Sequence, residues 1–93
     1  MYQMRDRWNN IIELTEERWQ YIVRWHPDLE DHLDEVLQTV KRGRRRQDPV
    51  DVNKYIYYRH TDELWPEYNH IIVVVKLVRN NFVITAYPKF IDR

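Results

Sequence analysis

A chain of 93 residues without a cysteine has room for one small hydrophobic core and no means of building a disulfide or a thiolate metal site. Its 43% apolar, 14% aromatic and 32% charged residues describe a folded single domain over residues 1–93, and no apolar run nears the roughly 20 residues of a membrane helix. The formal net charge is zero, but residues 1–40 hold 4 Lys/Arg against 9 Asp/Glu and residues 41–93 hold 11 against 6, so the basic half can meet phosphate while the acidic half faces elsewhere, unless the two halves attract each other within one fold.

The first six residues lack the apolar stretch of a secretory signal, and the absence of cysteine suits a reducing cytoplasm. Trp8–Leu14 reads as a short strand. Thr15 is an N-cap followed by the acidic first turn Glu16-Glu17, opening a helix to about Trp25. Trp19, Ile22, Val23 and His26 fall at i, i+3, i+4 and i+7 along its apolar stripe. Pro27 disfavours helical geometry at His26 and suits the first turn of a second helix. That helix carries Leu29, Leu33, Val36, Leu37 and Val40 on one face, with His32 beside the stripe, and ends near Arg42 with Gly43 as its C-cap.

Arg44–Pro49 reads as a loop and Val50–Arg59 as a strand, with Ile56 and Tyr58 on one face and Tyr55, Tyr57 and Arg59 on the other. His60–Tyr68 reads as a connection anchored by Trp65. Ile71–Leu77 and Phe82–Tyr87 form a closing hairpin across Val78-Arg79-Asn80-Asn81, and Pro88 marks an end or an edge. In the last strand the period of two places Phe82, Ile84 and Ala86 toward a core and Val83, Thr85 and Tyr87 on the opposite face. The expected fold is α+β: two N-terminal helices packed on one face of an antiparallel sheet, in the order β-α-α-β-β-β, with the other face partly open.

Four groups of residues could carry chemistry. His26, at the corner between the helices, can exchange a proton near neutral pH or simply pack there. Lys41, Arg42, Arg44, Arg45 and Arg46 form a basic run that attracts phosphate, or that opposes a helix dipole and is solvated. Arg59, Lys76, Thr85 and Tyr87 form a polar constellation on the sheet, which Tyr55 and Tyr57 would extend for base stacking. The same residue types also suit an ordinary amphipathic strand. Thr85 and Tyr87 must then point away from the helices, on the side of Lys76. The remaining histidines, His32, His60 and His70, make no metal-ligand spacing, so no metal or cofactor is expected, and the chain has no serine to act as a nucleophile.

Two segments together resemble a known group. Thr15-Glu16-Glu17-Arg18-Trp19 through His26-Pro27-Asp28-Leu29, and Ile72-Val73-Val74-Val75-Lys76 followed by Phe82-Val83-Ile84-Thr85-Ala86-Tyr87, are similar to the opening and ending of small phage and bacterial toxin-like domains of the barnase/EndoU/colicin/RelE-like nuclease superfamily. The resemblance spans about residues 13–87. It implies metal-independent endoribonuclease chemistry on an α+β fold and marks His26, Lys76, Thr85 and Tyr87 as site residues. Tyr21 stands where such domains often have a second histidine.

On this reading the chain is a ribonuclease or an RNA-binding toxin-like domain. His26 would act as acid or base, Arg59 and Lys76 would stabilise the phosphorane, and Thr85 and Tyr87 would position the phosphate. RNA is the expected ligand, with a cognate antitoxin or immunity protein as a further partner and no membrane. The rival reading is a non-catalytic interaction module or homodimer, resting on aromatics such as Trp25 and Trp65. An antitoxin or immunity partner, covering a basic enzyme with the acidic helices, is the third.

Overall fold

The computed structural model describes residues 1–64 and 66–92. Strands β1 (Tyr2–Arg5) and β2 (Ile11–Leu14) precede helix α1 (Glu16–Trp25). A 3₁₀ turn at Pro27–Leu29 leads to helix α2 (Leu33–Arg42), and strands β3 (Arg44–Gln47), β4 (Lys54–His60), β5 (His70–Lys76) and β6 (Phe82–Lys89) complete the chain. The strands form one sheet in the order β1-β2-β6-β5-β4-β3. Neighbours run antiparallel except β2 and β6, which are parallel and meet at Glu13 and Phe82. The expected α+β architecture is therefore present, with two strands more than the sequence showed. No helix among the described residues is long and apolar enough to cross a membrane.

Local chemistry sets the helices. The Thr15 hydroxyl accepts from the Arg18 amide at 3.1 Å, capping α1 above its two first-turn glutamates. Trp19 and Ile22 are its buried residues, while Val23 and His26 are half-buried. The second helix does not start at Pro27. The proline opens a single 3₁₀ turn that plugs Leu29 into the core, and His32, at φ −121° and ψ 29°, breaks the helical path before Leu33. Met4, Ile12, Leu14, Trp19, Ile22, Leu29, Val36, Val40, Tyr57, Val73, Val75 and Ala86 belong to one buried cluster between helices and sheet.

Beyond the strand expected over Val50–Arg59, which begins only at Lys54, three strand expectations need correction. The stretch from Asp6 to Asn10 is a turn, so Trp8 is not in the first strand; Asn9 sits there at φ 70°, a left-handed conformation that Asn tolerates. Arg44–Gln47 is a strand rather than a loop. Its four polar side chains give no alternating signal, and it is held in place by pairing with β4. The third correction is a bulge in β6. Val74 pairs with Thr85 and Val75 pairs with Val83, which leaves Ile84 without an opposite number. Val83 and Ala86 are consequently the buried pair, while Ile84 is half-exposed and Phe82 exposed. Trp65, expected to anchor the β4–β5 connection, lies outside the described residues.

Gly43 does end α2, its amide donating to the Thr39 carbonyl at 2.9 Å. Its φ of −70° is one any residue can adopt. Space, not conformation, requires glycine: a Cβ would lie 2.3 Å from the Thr39 carbonyl oxygen and 2.8 Å from that of Tyr58. Gly43→Ala should therefore push α2 and β4 apart and cost about 1–3 kcal/mol, the usual range for overpacking, read as a lower urea midpoint. An unchanged midpoint would mean the contact is not tight.

Candidate nucleic-acid interface

The register divides the sheet into two faces. Arg45, Tyr57, Val73 and Ala86 lie in one row across β3-β4-β5-β6, and Gln47, Tyr55, Val75 and Val83 in another. Their buried members belong to the one cluster shared with the helices, which places these rows under them. The intervening rows, Arg44-Tyr58-Ile72-Tyr87 and Arg46-Ile56-Val74-Thr85, occupy the opposite, open face. Lys54 and Lys76 continue it toward one end, His60, His70 and Lys89 toward the other. Because the bulge at Ile84 resets the parity of β6, Thr85 and Tyr87 share this face with Val74 and Ile72.

A groove of about 480 Å³ runs over the open face. Ile56 and Ile72 form its apolar lining with the rings of Tyr58, Tyr87 and Phe90; Arg46 and Lys89 supply cations. The chain beyond β6 is fastened beside it by Asn69, whose side chain donates to the Ile91 carbonyl at 3.0 Å and accepts from the Ile91 amide at 2.8 Å. The tail thus makes Phe90, Ile91 and Asp92 part of the groove wall.

The expected site residues fall into three sets. His26 and Tyr87 meet: their ring centroids are 6.1 Å apart with the planes tilted by 37°. Since β2 reaches β6 only near Phe82, the far half of β6 is an unpaired edge, and His26 stands beside it. Thr85 lies two residues from Tyr87 on the same face. Lys76 shares that face but is tied to Asp51 by an ion pair, which holds the Asp51 carboxyl below its ordinary range.

Arg59 does not join them. It projects to the helix side, where its guanidinium meets Glu35 of α2 at 2.9 Å, and Thr61 donates to the same carboxylate at 3.0 Å. Of the proposed RNA-contacting residues, Lys41, Arg42, Arg44 and Arg46 are exposed. Arg45 and Tyr57 are not available. Tyr57 is fully buried, and Arg45 points inward to Asp6. Alternation along β3 and β4 separates Arg45 and Tyr57 from Arg44, Arg46 and Tyr58. Tyr58, Ile72 and Lys89 escaped notice as site residues; the split of Tyr58 from Tyr57 was visible in the sequence, but which of the two faces outward depends on pairing with β5.

Arg45 and Tyr57 build a buried polar cluster with Asp6. Arg45 Nη1 lies 3.3 Å from Asp6 Oδ2 and donates to the Tyr57 hydroxyl at 3.2 Å, while that hydroxyl donates to Asp6 Oδ2. The Trp8 and Asn10 amides donate to Asp6 Oδ1 at 2.9 and 2.8 Å. The Arg45 guanidinium lies 4.1 Å from the Trp8 ring centre and 4.4 Å from that of Tyr55. Burial alone would raise the Asp6 carboxyl, but the hydrogen bonds from Tyr57, Asn10 and Trp8 outweigh it and hold the group below its ordinary value. Burial first, and then the bond to Asp6, drive the Tyr57 hydroxyl the other way, well above the usual tyrosine range.

Among the described residues, no three His, Cys, Asp or Glu side chains are grouped so as to hold a metal ion. No protein-family model, curated protein or solved structure matches this chain.

The depressed Asp6 carboxyl stabilises the fold above the ordinary aspartate pKa of about 3.9, and that stabilisation is lost as pH falls through its lower folded value. Denaturation midpoints followed from about pH 5 to pH 2 should fall less steeply for Asp6→Asn than for the native chain. Equal slopes would show that Asp6 is not linked to folding.

Proposed function

We propose that this chain is a single-stranded RNA-binding domain whose ligand lies along the open face of the sheet. One observation carries the reading: Tyr58 and Tyr87, separated by Ile72 in one row, face outward beside Arg44, Arg46 and Lys89. Flat rings stack on bases without regard to sequence, and flanking cations follow the phosphate backbone. A duplex hides its bases from such a surface, so an unpaired strand is the fitting form. The resemblance of residues 13–87 to the nuclease superfamily agrees with RNA as the ligand. In the toxin-like setting it implies, an acidic antitoxin or immunity protein would bind the same basic face.

A second reading, RNA cleavage, is favoured by the contact between His26 and Tyr87 at the groove's edge. Here the ribose 2′-hydroxyl attacks the adjacent phosphate as His26 takes its proton; the P–O5′ bond breaks, leaving a 2′,3′-cyclic phosphate, and the departing 5′-oxygen is protonated by the imidazolium or by Tyr87, which otherwise holds the phosphate. Binding takes precedence because Lys76 and Arg59, the cations this chemistry would use on the phosphorane, are already paired with Asp51 and Glu35.

Tyr58→Ala and Tyr87→Ala should each weaken binding of a labelled single-stranded RNA by about 1–3 kcal/mol, or about 5- to 150-fold. Tyr21→Ala, which removes an exposed ring of α1 that does not line the groove, should leave affinity unchanged. Equal affinities for all three variants would refute the reading. For cleavage, His26→Ala should lower the rate of RNA breakdown by about 10²–10⁴-fold; full activity without the imidazole would remove His26 from the mechanism.

A further inference from the structure

A second cavity, of about 390 Å³, opens where the Asp6–Asn10 turn approaches the start of β3, the end of β4 and the start of β5. Four arginines line it: Arg7 from that turn, Arg42 from the last residue of α2, Arg44 from β3 and Arg59 from β4. His60 and His70 close one side with their rings edge to face, 5.4 Å between centroids. No carboxylate lines the cavity. The nearest acidic groups are Glu35, which pairs with Arg59, and Asp62, 3.7 Å from His60 Nε2. Among the described residues Arg7, Arg42 and Arg44 form no ion pair. Three uncompensated guanidiniums converging on one cleft repel one another, and an anion bound between them removes that cost.

Tyr58 forms part of the wall of both this cleft and the groove on the open face. Arg44, on the cleft side, continues the row Tyr58-Ile72-Tyr87. A strand stacked on Tyr87 and Tyr58 would arrive at the arginines at its end. The three unpaired cations also outnumber what an internal phosphodiester, a single negative charge flanked by two sugars, can use. A terminal phosphate carries about −1.5 to −2 at neutral pH and presents three free oxygens, matching several guanidinium forks at once.

From this geometry we propose that the cleft where Arg7, Arg42 and Arg44 converge, walled on one side by the Glu35-paired Arg59, is a subsite for the terminal phosphate of a single-stranded RNA. The inference rests on the RNA-binding reading of the open face and adds to it a preference for strand ends. It makes the domain a reader of phosphorylated ends, such as those left by nucleolytic processing, in place of a coat along continuous RNA.

The test compares one short RNA sequence carrying a 5′-phosphate, a 3′-phosphate or hydroxyls at both ends, with affinity measured by fluorescence anisotropy at a fixed salt concentration. One phosphorylated form should bind about tenfold or more tightly than the hydroxyl-ended form. In Arg7→Ala/Arg42→Ala, both exposed positions, that ratio should collapse to within about twofold, with circular dichroism confirming that the variant is folded. Equal affinity for all three ends, or a ratio that survives the double substitution, overturns the inference and leaves the RNA reading standing. Failure of every oligonucleotide to bind overturns both.

Discussion

The carboxylate of Asp6 is the point on which the rest of this structure turns. It follows β1, one edge of the sheet, and it binds Arg45 of β3, the opposite edge. A six-stranded sheet whose edges are joined in this way must curl, and α2 lies within the curl, in contact with β1, β4 and β5. The charges are costly to bury, and they are tolerable because the Asp6 carboxylate accepts from backbone and side chains while the Arg45 guanidinium donates to Asp6 and Tyr57 and lies against the rings of Trp8 and Tyr55. Removing either partner would strand the other charge without compensation. The same closure leaves the outer surface of β3 to β6 uncovered by helices.

The charge division along the chain takes on a different meaning in this light. Asp6 and Glu35 belong to the acidic first 40 residues, while their partners Arg45 and Arg59 belong to the basic remainder. The halves do attract each other, through pairs set on the helix side of the sheet. What remains of the basic half is sorted by the pleat of β3 and β4: inward cations pair within the fold, and outward ones, Arg44 and Arg46 among them, form no ion pair among the described residues. A run that looks uniform in sequence is thus two populations with opposite roles.

How much could be read beforehand followed the strength of local signals. The cap at Thr15, the stripes of both helices and the apolar closing hairpin are dictated within a few residues, and they were legible. Strand β3 was not, because four consecutive polar residues pair only when β4 is already beside them. Nor was the bulge at Ile84, since nothing in Phe82-Val83-Ile84-Thr85 announces an unpaired residue; its effect was to exchange Ile84 for Val83 in the core while keeping Thr85 and Tyr87 outside. Of the candidate site, His26 and Tyr87 were each legible as candidates, but their meeting was not, because it depends on how the corner after α1 packs beside β6. The assignment of Arg59 and Tyr57 to the wrong face came from a strand whose alternation was clear but whose parity only the neighbouring strand defines.

The chain's only glycine has a mechanical consequence. At Gly43 the main chain of α2 meets the main chain of β4 near Tyr58 with no side chain between them. Layers separated by side chains can slide as rotamers change, but two backbones in contact cannot. Helix and sheet therefore move as one body at this point, and Tyr58 is presented from a mounting that does not yield. A ligand that settled on Tyr58 would meet a ring whose backbone, at this contact, has little room to shift.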